Sequence, residues 1–200
     1  TDRHVQDSCI AALQMKKTLE LLHAKWEEEM SYTPLARKLK FRIGLNCGKA
    51  KVGFMGTDSL ASYTMMGDTV NLASRLEAAA KDYGTSILVS QNIQERANSE
   101  FHFRFLDCIR VKGKNEPIRI FSLESQISET ASEDLAWQRE YEEAFQNYQN
   151  QNWTMAKDIL KSLLAKRKDV ASEMLLERVE YYESDPPGSN WDGVFTRTTK

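Results

Sequence analysis

An α+β sandwich is the fold class predicted for this chain: an antiparallel-rich sheet with helices packed on it, followed by a small helical appendage. Three observations carry the prediction. The first 30 residues repeat apolar side chains at helical steps. Residues 41–123 break into short β-compatible runs separated by helix-patterned segments. A polar interval near residue 125 is then followed by helical periodicity alone.

Val5, Cys9, Ala12, Met15, Leu19, Leu22, Trp26 and Met30 recur at alternating steps of three and four, which defines one amphipathic helix from near residue 4 to before Pro34. Lys16, Lys17, Glu20 and the acidic run 27–29 form its wet face, with His4 and His23 as surface residues. Residues 41–46 and 50–55 read as two strands joined into a hairpin around Cys47-Gly48-Lys49. Gly44, Gly48, Gly53 and Gly56 are dense for paired strands, and point equally to turn geometry or to close approach of another backbone. Residues 58–62 form a polar link into Tyr63-Thr64-Met65-Met66, an apolar run that turns at Gly67 and opens a helix capped by Asp68. That helix runs to about Tyr83 and stops at Gly84 in the left-handed conformation, with Val70, Ala73, Leu76 and residues 77–80 toward a sheet. Residues 87–90 are a buried strand, 91–98 a short helix, and 101–111 pairs with 118–123 across Lys112-Gly113-Lys114-Asn115-Glu116-Pro117.

The composition shift divides the chain into residues 1–125, a linker over 126–133, and a helical part over 134–200. In the helical part, Leu135, Tyr141, Ala144, Phe145 and Tyr148 make one apolar face, and Trp153, Ala156, Ile159, Leu160, Leu163 and Leu164 make a second. Together they resemble a single tetratricopeptide-type helix pair, which cannot bury its own face and must dock on something. A third helix around 171–182 supplies part of the cover, and the segment from Asp185-Pro186-Pro187 to Phe195 lies extended over a surface.

Two hundred residues suffice for one domain plus an appendage. With 41% apolar and 28% charged residues the chain reads as globular, and no run of about 18 apolar residues offers a membrane span. A formal charge of -2 argues against a broad nucleic-acid surface, so phosphate recognition has to be local. Cys9, Cys47 and Cys108 lack metal-ligand spacing and read as buried thiols of a reducing compartment.

The chemistry concentrates in the run from Tyr63 to Glu77. Asn71 and Arg75 stand four apart, away from the apolar face of the predicted helix. An amide and a planar guanidinium one turn apart form a donor array suited to a sugar oxygen and a phosphoryl oxygen, although an isolated pair of this kind is usually a solvated stripe. The whole string is more specific. Tyr63-Thr64-Met65-Met66-Gly67-Asp68-Thr69-Val70-Asn71-Leu72-Ala73-Ser74-Arg75-Leu76-Glu77 closely resembles the signature of class III nucleotidyl cyclases, which turn ATP or GTP into the 3′,5′-cyclic monophosphate. Arg42-Ile43-Gly44-Leu45-Asn46-Cys47-Gly48, Val52-Gly53-Phe54-Met55-Gly56 and Val111-Lys112-Gly113-Lys114 extend the resemblance over roughly residues 4–125.

The resemblance implies the C-terminal part of a ferredoxin-like cyclase sandwich, of bacterial type, with its helical tail. It implies that Asn71 orients the ribose, Arg75 stabilises charge on the α-phosphoryl group, Thr64 helps choose adenine, and one of Lys112 and Lys114 contacts the triphosphate. Spacing does not say which lysine. It also implies Mg²⁺ or Mn²⁺ held by two aspartates on strands that precede the first helix; no Asp of this chain matches them, so these 200 residues alone are expected to be inactive or nearly so. Composite sites across a dimer interface imply a homodimer with ATP as substrate, and the tail offers a surface for a protein partner. The expected setting is second-messenger signalling in the cytoplasm, any membrane anchor lying upstream. Two rival readings stay open: a guanylate cyclase, and a non-catalytic, cyclase-like dimerisation or binding module.

Overall fold

The computed structural model describes residues 2–57, 59–110, 116–188 and 190–196. Along the chain run α1 (His4–Glu28), β1 (Ile43–Leu45), β2 (Lys51–Thr57), β3 (Leu60–Met66), α2 (Asp68–Ala80), β4 (Ile87–Ser90), α3 (Gln91–Ala97), β5 (Phe101–Arg110), β6 (Ile118–Gln126), α4 (Ser132–Gln149), α5 (Trp153–Lys166), α6 (Val170–Ser184) and β7 (Phe195–Thr196). Five strands form one sheet in the order β1-β4-β6-β5-β7, and β2 and β3 form a separate two-stranded ribbon. The predicted α+β class is what the chain adopts.

The first predicted hairpin is not formed. β1 runs parallel to β4, in the register Ile43↔Ile87 to Leu45↔Val89, while β2 pairs antiparallel with β3 from Lys51↔Met66 to Thr57↔Leu60. The reason lies at Gly44. A Cβ there would sit 2.1 Å from the Ala73 carbonyl oxygen and 2.5 Å from the Glu77 amide nitrogen, so β1 is pressed against the backbone of α2. Of the two readings of the clustered glycines, close backbone approach holds at this position. Leu60, Ala61 and Ser62, expected in a polar link, belong to β3.

β5 carries two register irregularities against β6. Between Phe105 and Asp107 the pairing skips Leu106, so Phe105 lies opposite Phe121 but Asp107 lies opposite Ile120, on the other side of the ribbon. The bulge therefore re-aims a carboxylate that simple alternation would place beside Phe105. Asp107 is 1% exposed.

α1 is buried only through its first turns, at Val5, Cys9 and Ala12, where it meets α3 and β6; Met15, Leu21 and Leu22 remain exposed. The three cysteines are free. Cys9 alone is fully buried, its thiol pushed up to about 11 by burial, whereas Cys47 and Cys108 are half-buried, contrary to the expectation for all three.

α4 packs on β5 and on α5, and α5 on α6. Trp137, Tyr141, Ala144, Phe145 and Tyr148 form the buried face of α4; Trp137 replaces the predicted Leu135, which is exposed. Phe145 meets Phe105 edge to face at 4.8 Å, and the Tyr141 hydroxyl donates to the Leu106 carbonyl at 2.6 Å. One apolar cluster runs from α1 through the sheet into α6, so the helical part shares the core of the sheet. Beyond α6 the chain returns to the sheet edge as β7, parallel to β5, with Trp191 packed among Tyr148, Trp153 and Tyr182.

Candidate active site

The signature string folds as a strand, a turn and a helix. β3 ends at Met66, Gly67 takes φ +149°, and α2 begins at Asp68. The positive φ is why glycine stands at the turn. Gly67 is itself the N-cap residue, its carbonyl accepting from the Val70 and Asn71 amides at 3.1 Å each. Asp68 makes no capping hydrogen bond; it is the first helical residue, where its negative charge still complements the helix dipole. Helix α2 ends at Ala80, earlier than expected, and Gly84 at φ +65° closes the following turn.

Leu72, Leu76, Ala79 and Ala80 are buried against β1 and β4, while Val70 and Ala73 are half-buried. The contact stripe is thus rotated from the predicted one, since Leu72 and Ala79 join it and Glu77 turns aside to accept from Arg42 Nε at 2.9 Å. Full burial of Leu76 contributes about 1.5–3 kcal/mol. Asn46 fixes the helix start: its amide donates to the Thr69 carbonyl at 3.0 Å and accepts from Ser90 Oγ at 2.8 Å, tying β1, β4 and the first turn of α2 together. Asn46 lies inside the run Arg42–Gly48, where nothing in the sequence marks it as the anchor of the helix start.

On this rigid support Asn71 is exposed and Arg75 half-exposed. Among the described residues neither side chain makes a hydrogen bond or an ion pair, so an amide and a guanidinium one turn apart are left with unused donors. Thr64 is exposed on β3, opposite Gly53. Lys112 and Lys114 lie outside the described residues. The structure therefore places Thr64, Asn71 and Arg75 on one continuous β3-turn-α2 unit. A cavity of about 370 Å³ beneath the first turn of α2 is lined by Gly44, Cys47, Met65, Thr69, Val70 and Ala73, without Asn71 or Arg75. Those two project instead from an open face.

The β2–β3 ribbon has one apolar face. Val52 and Phe54 lie opposite Met65 and Tyr63, so alternation puts all four on the same side. Phe54 and Tyr63 touch edge to face at 5.2 Å, yet are 77% and 67% exposed. Among the described residues no cluster of three or more His, Cys, Asp or Glu side chains could hold a metal ion, so these residues do not themselves fit the implied Mg²⁺ or Mn²⁺. No helix of the described residues is long and apolar enough to cross a membrane.

A strand-turn-helix unit whose helix presents an amide and a guanidinium, both unpartnered among the described residues, is the arrangement expected of the cyclase signature. Comparison with known proteins agrees: the chain belongs to the adenylate and guanylate cyclase catalytic domain family, whose model matches residues 1–125. It is similar to adenylate cyclase 1 of Rhizobium meliloti (strain 1021), with 36% identity over 121 residues that cover 60% of this chain and 17% of that protein. It is also similar to guanylate cyclase 2G of Mus musculus, with 34% identity over 98 residues, 49% of this chain and 9% of that one. The chain thus spans less than a fifth of either relative. A solved bacterial light-regulated adenylyl cyclase shares the fold at 21% identity and a TM-score of 0.51, covering 63% of this chain and 35% of its own.

Proposed function

We propose that the protein to which this chain belongs converts ATP to 3′,5′-cyclic AMP and pyrophosphate. The observation that carries the reading is the pair Asn71 and Arg75, unpartnered among the described residues on the signature helix of a chain that belongs to the cyclase family. In the reaction the ribose 3′-oxygen attacks the α-phosphorus, the bond to the β-phosphate oxygen breaks in line, and pyrophosphate leaves. Asn71 orients the ribose by hydrogen bonding, so that the attacking oxygen is held on the reaction axis. Arg75 faces the α-phosphoryl oxygens, where its fixed charge stabilises the transition state more than the ground state. Thr64 assists base selection in favour of adenine, and Lys112 or Lys114 holds the triphosphate as a point charge.

The Mg²⁺ or Mn²⁺ implied by the family would have to be held by residues other than those described; when bound, such ions neutralise charge on the phosphates. Asn71 is exposed and Arg75 partly so, and the apolar side of the β2–β3 ribbon is uncovered as well. A second copy of the chain, covering Val52, Phe54, Tyr63 and Met65, completes the site, giving a homodimer with two equivalent centres.

The test is product analysis with the full-length protein, ATP and Mn²⁺. Cyclic AMP and pyrophosphate in equal amounts are expected, with the isolated 200-residue chain showing negligible turnover. Relatives of both substrate classes match this chain, so GTP is run in parallel; faster turnover of GTP would make the protein a guanylate cyclase.

A further inference from the structure

The turn that ends α2 is held by the C-terminal helices. Asp82, Gly84 and Thr85 donate their amides to the carbonyls of Ala79, Lys81 and Ala80, so the turn moves with the helix that carries Asn71 and Arg75. Within it the Tyr83 ring is 5% exposed, and its hydroxyl donates to Asp107 Oδ2 at 2.6 Å. Arg178, on α6, donates through Nη1 to the same oxygen at 2.6 Å. Asp107 Oδ1 accepts from the Cys108 amide at 2.8 Å, which fixes the carboxylate plane.

Burial keeps Tyr83 protonated by pushing its hydroxyl well above the ordinary tyrosine value, so it is the donor. Burial by itself would lower Arg178, but the Asp107 carboxylate outweighs it and the guanidinium stays charged. A second contact lies at the start of α6. Val170 packs on Gly84 so closely that a Cβ there would lie 2.8 Å from Val170 Cγ2. Two points separated by about two turns of α6 thus bear on one turn of the signature helix.

We propose that α6 positions the catalytic helix, with Arg178 acting through Asp107 on Tyr83 and Val170 bearing on Gly84. Any tilt of α6 is passed to Asn71 and Arg75, because α2 and the hydrogen-bonded turn that ends it join them to Tyr83. Arg178 is a positioning residue: it touches no substrate, and acts by keeping the donor pair in register with the nucleotide, where small displacements are costly in rate. The inference rests on the cyclase reading for its effect on turnover but not for its effect on the helix.

The experiment uses the full-length protein with Tyr83→Phe, Arg178→Gln and the double variant. Each single change is expected to lower kcat about fivefold or more, with KM for ATP within about twofold. The double variant is expected to lose no more than the worse single, since both break one relay. In Arg178→Gln, amide hydrogen exchange is expected to quicken across residues 76–85 as well as in α6. Exchange that quickens in α6 alone, or two independent and multiplicative losses in kcat, overturns the relay. If Arg178→Gln does not fold, Tyr83→Phe decides: it removes one oxygen and keeps the ring, and an unchanged kcat overturns the proposal. If the wild-type protein forms no cyclic nucleotide, the cyclase reading fails while the exchange pattern still decides the relay.

Discussion

Arg104 on β5 and Asp169 at the head of α6 face each other through two parallel hydrogen bonds, Nη1 to Oδ1 at 2.8 Å and Nη2 to Oδ2 at 2.7 Å. Asp169 also caps α6, accepting from the Ser172 amide at 2.8 Å and the Ser172 hydroxyl at 2.7 Å. Both ion-pair partners are largely buried, at 14% and 11% side-chain exposure. Removing the guanidinium with Arg104→Met would strand a largely buried capping carboxylate without its cation, a loss of about 3 kcal/mol. Asp169→Asn keeps an acceptor for the cap and should cost less. Urea unfolding of both variants checks the order.

The same pair sets an acid limit. Burial favours the neutral Asp169 carboxyl, but the hydrogen bonds and charge of Arg104 more than reverse this and hold it below the usual carboxylate value. A group depressed in the folded state contributes stability that is complete above its unfolded pKa of about 3.9 and is lost as pH falls through the lower folded value. Wild-type stability should therefore fall steeply below about pH 4. The Asp169→Asn variant should show a shallower acid limb, measured as unfolding free energy against pH.

Gly44 should tolerate no side chain. The atoms that a Cβ would meet, Ala73 O and Glu77 N, are backbone of α2 and cannot swing aside. Gly44→Ala is expected to push the signature helix off β1, costing about 2–3 kcal/mol and most of the activity together. Thermal denaturation and turnover of the full-length variant are the measurements.

The apolar side of the β2–β3 ribbon should be a contact between copies. Phe54→Glu with Tyr63→Glu places like charges on each copy at two large exposed rings. The dimer is expected to weaken about 30-fold or more, and, on the proposed composite site, turnover to fall with it. Sedimentation at several concentrations reads this directly; an unchanged dimer would move the interface elsewhere.

Periodicity made α1, β4, α3 and the β5–β6 pairing legible, because burial imposes the 3.6 and 2.0 repeats on any sequence that adopts them. It could not choose strand partners. Residues 41–46 and 50–55 are apolar enough to pair with each other, and only the fit of Gly44 under α2 sends β1 to β4. Nor could it see Asp107, since the bulge at Leu106 turns that carboxylate to the opposite side from Phe105. Asn71 and Arg75 stand out as site candidates only within the whole signature string, their spacing alone being that of an ordinary polar stripe. Tyr83 and Arg178 left no local sign, as they are brought together across most of the fold by a third residue.

The measurement closest to the central claim is the initial rate of cyclic AMP formation from ATP and Mn²⁺ by full-length Arg75→Ala beside the wild type, with thermal melting as the folding control. Arg75 has no partner among the described residues, so its loss should leave the melt unchanged while lowering kcat about 100-fold or more. A variant that folds and keeps its rate within about twofold of wild type would contradict the assignment of cyclisation chemistry to this helix.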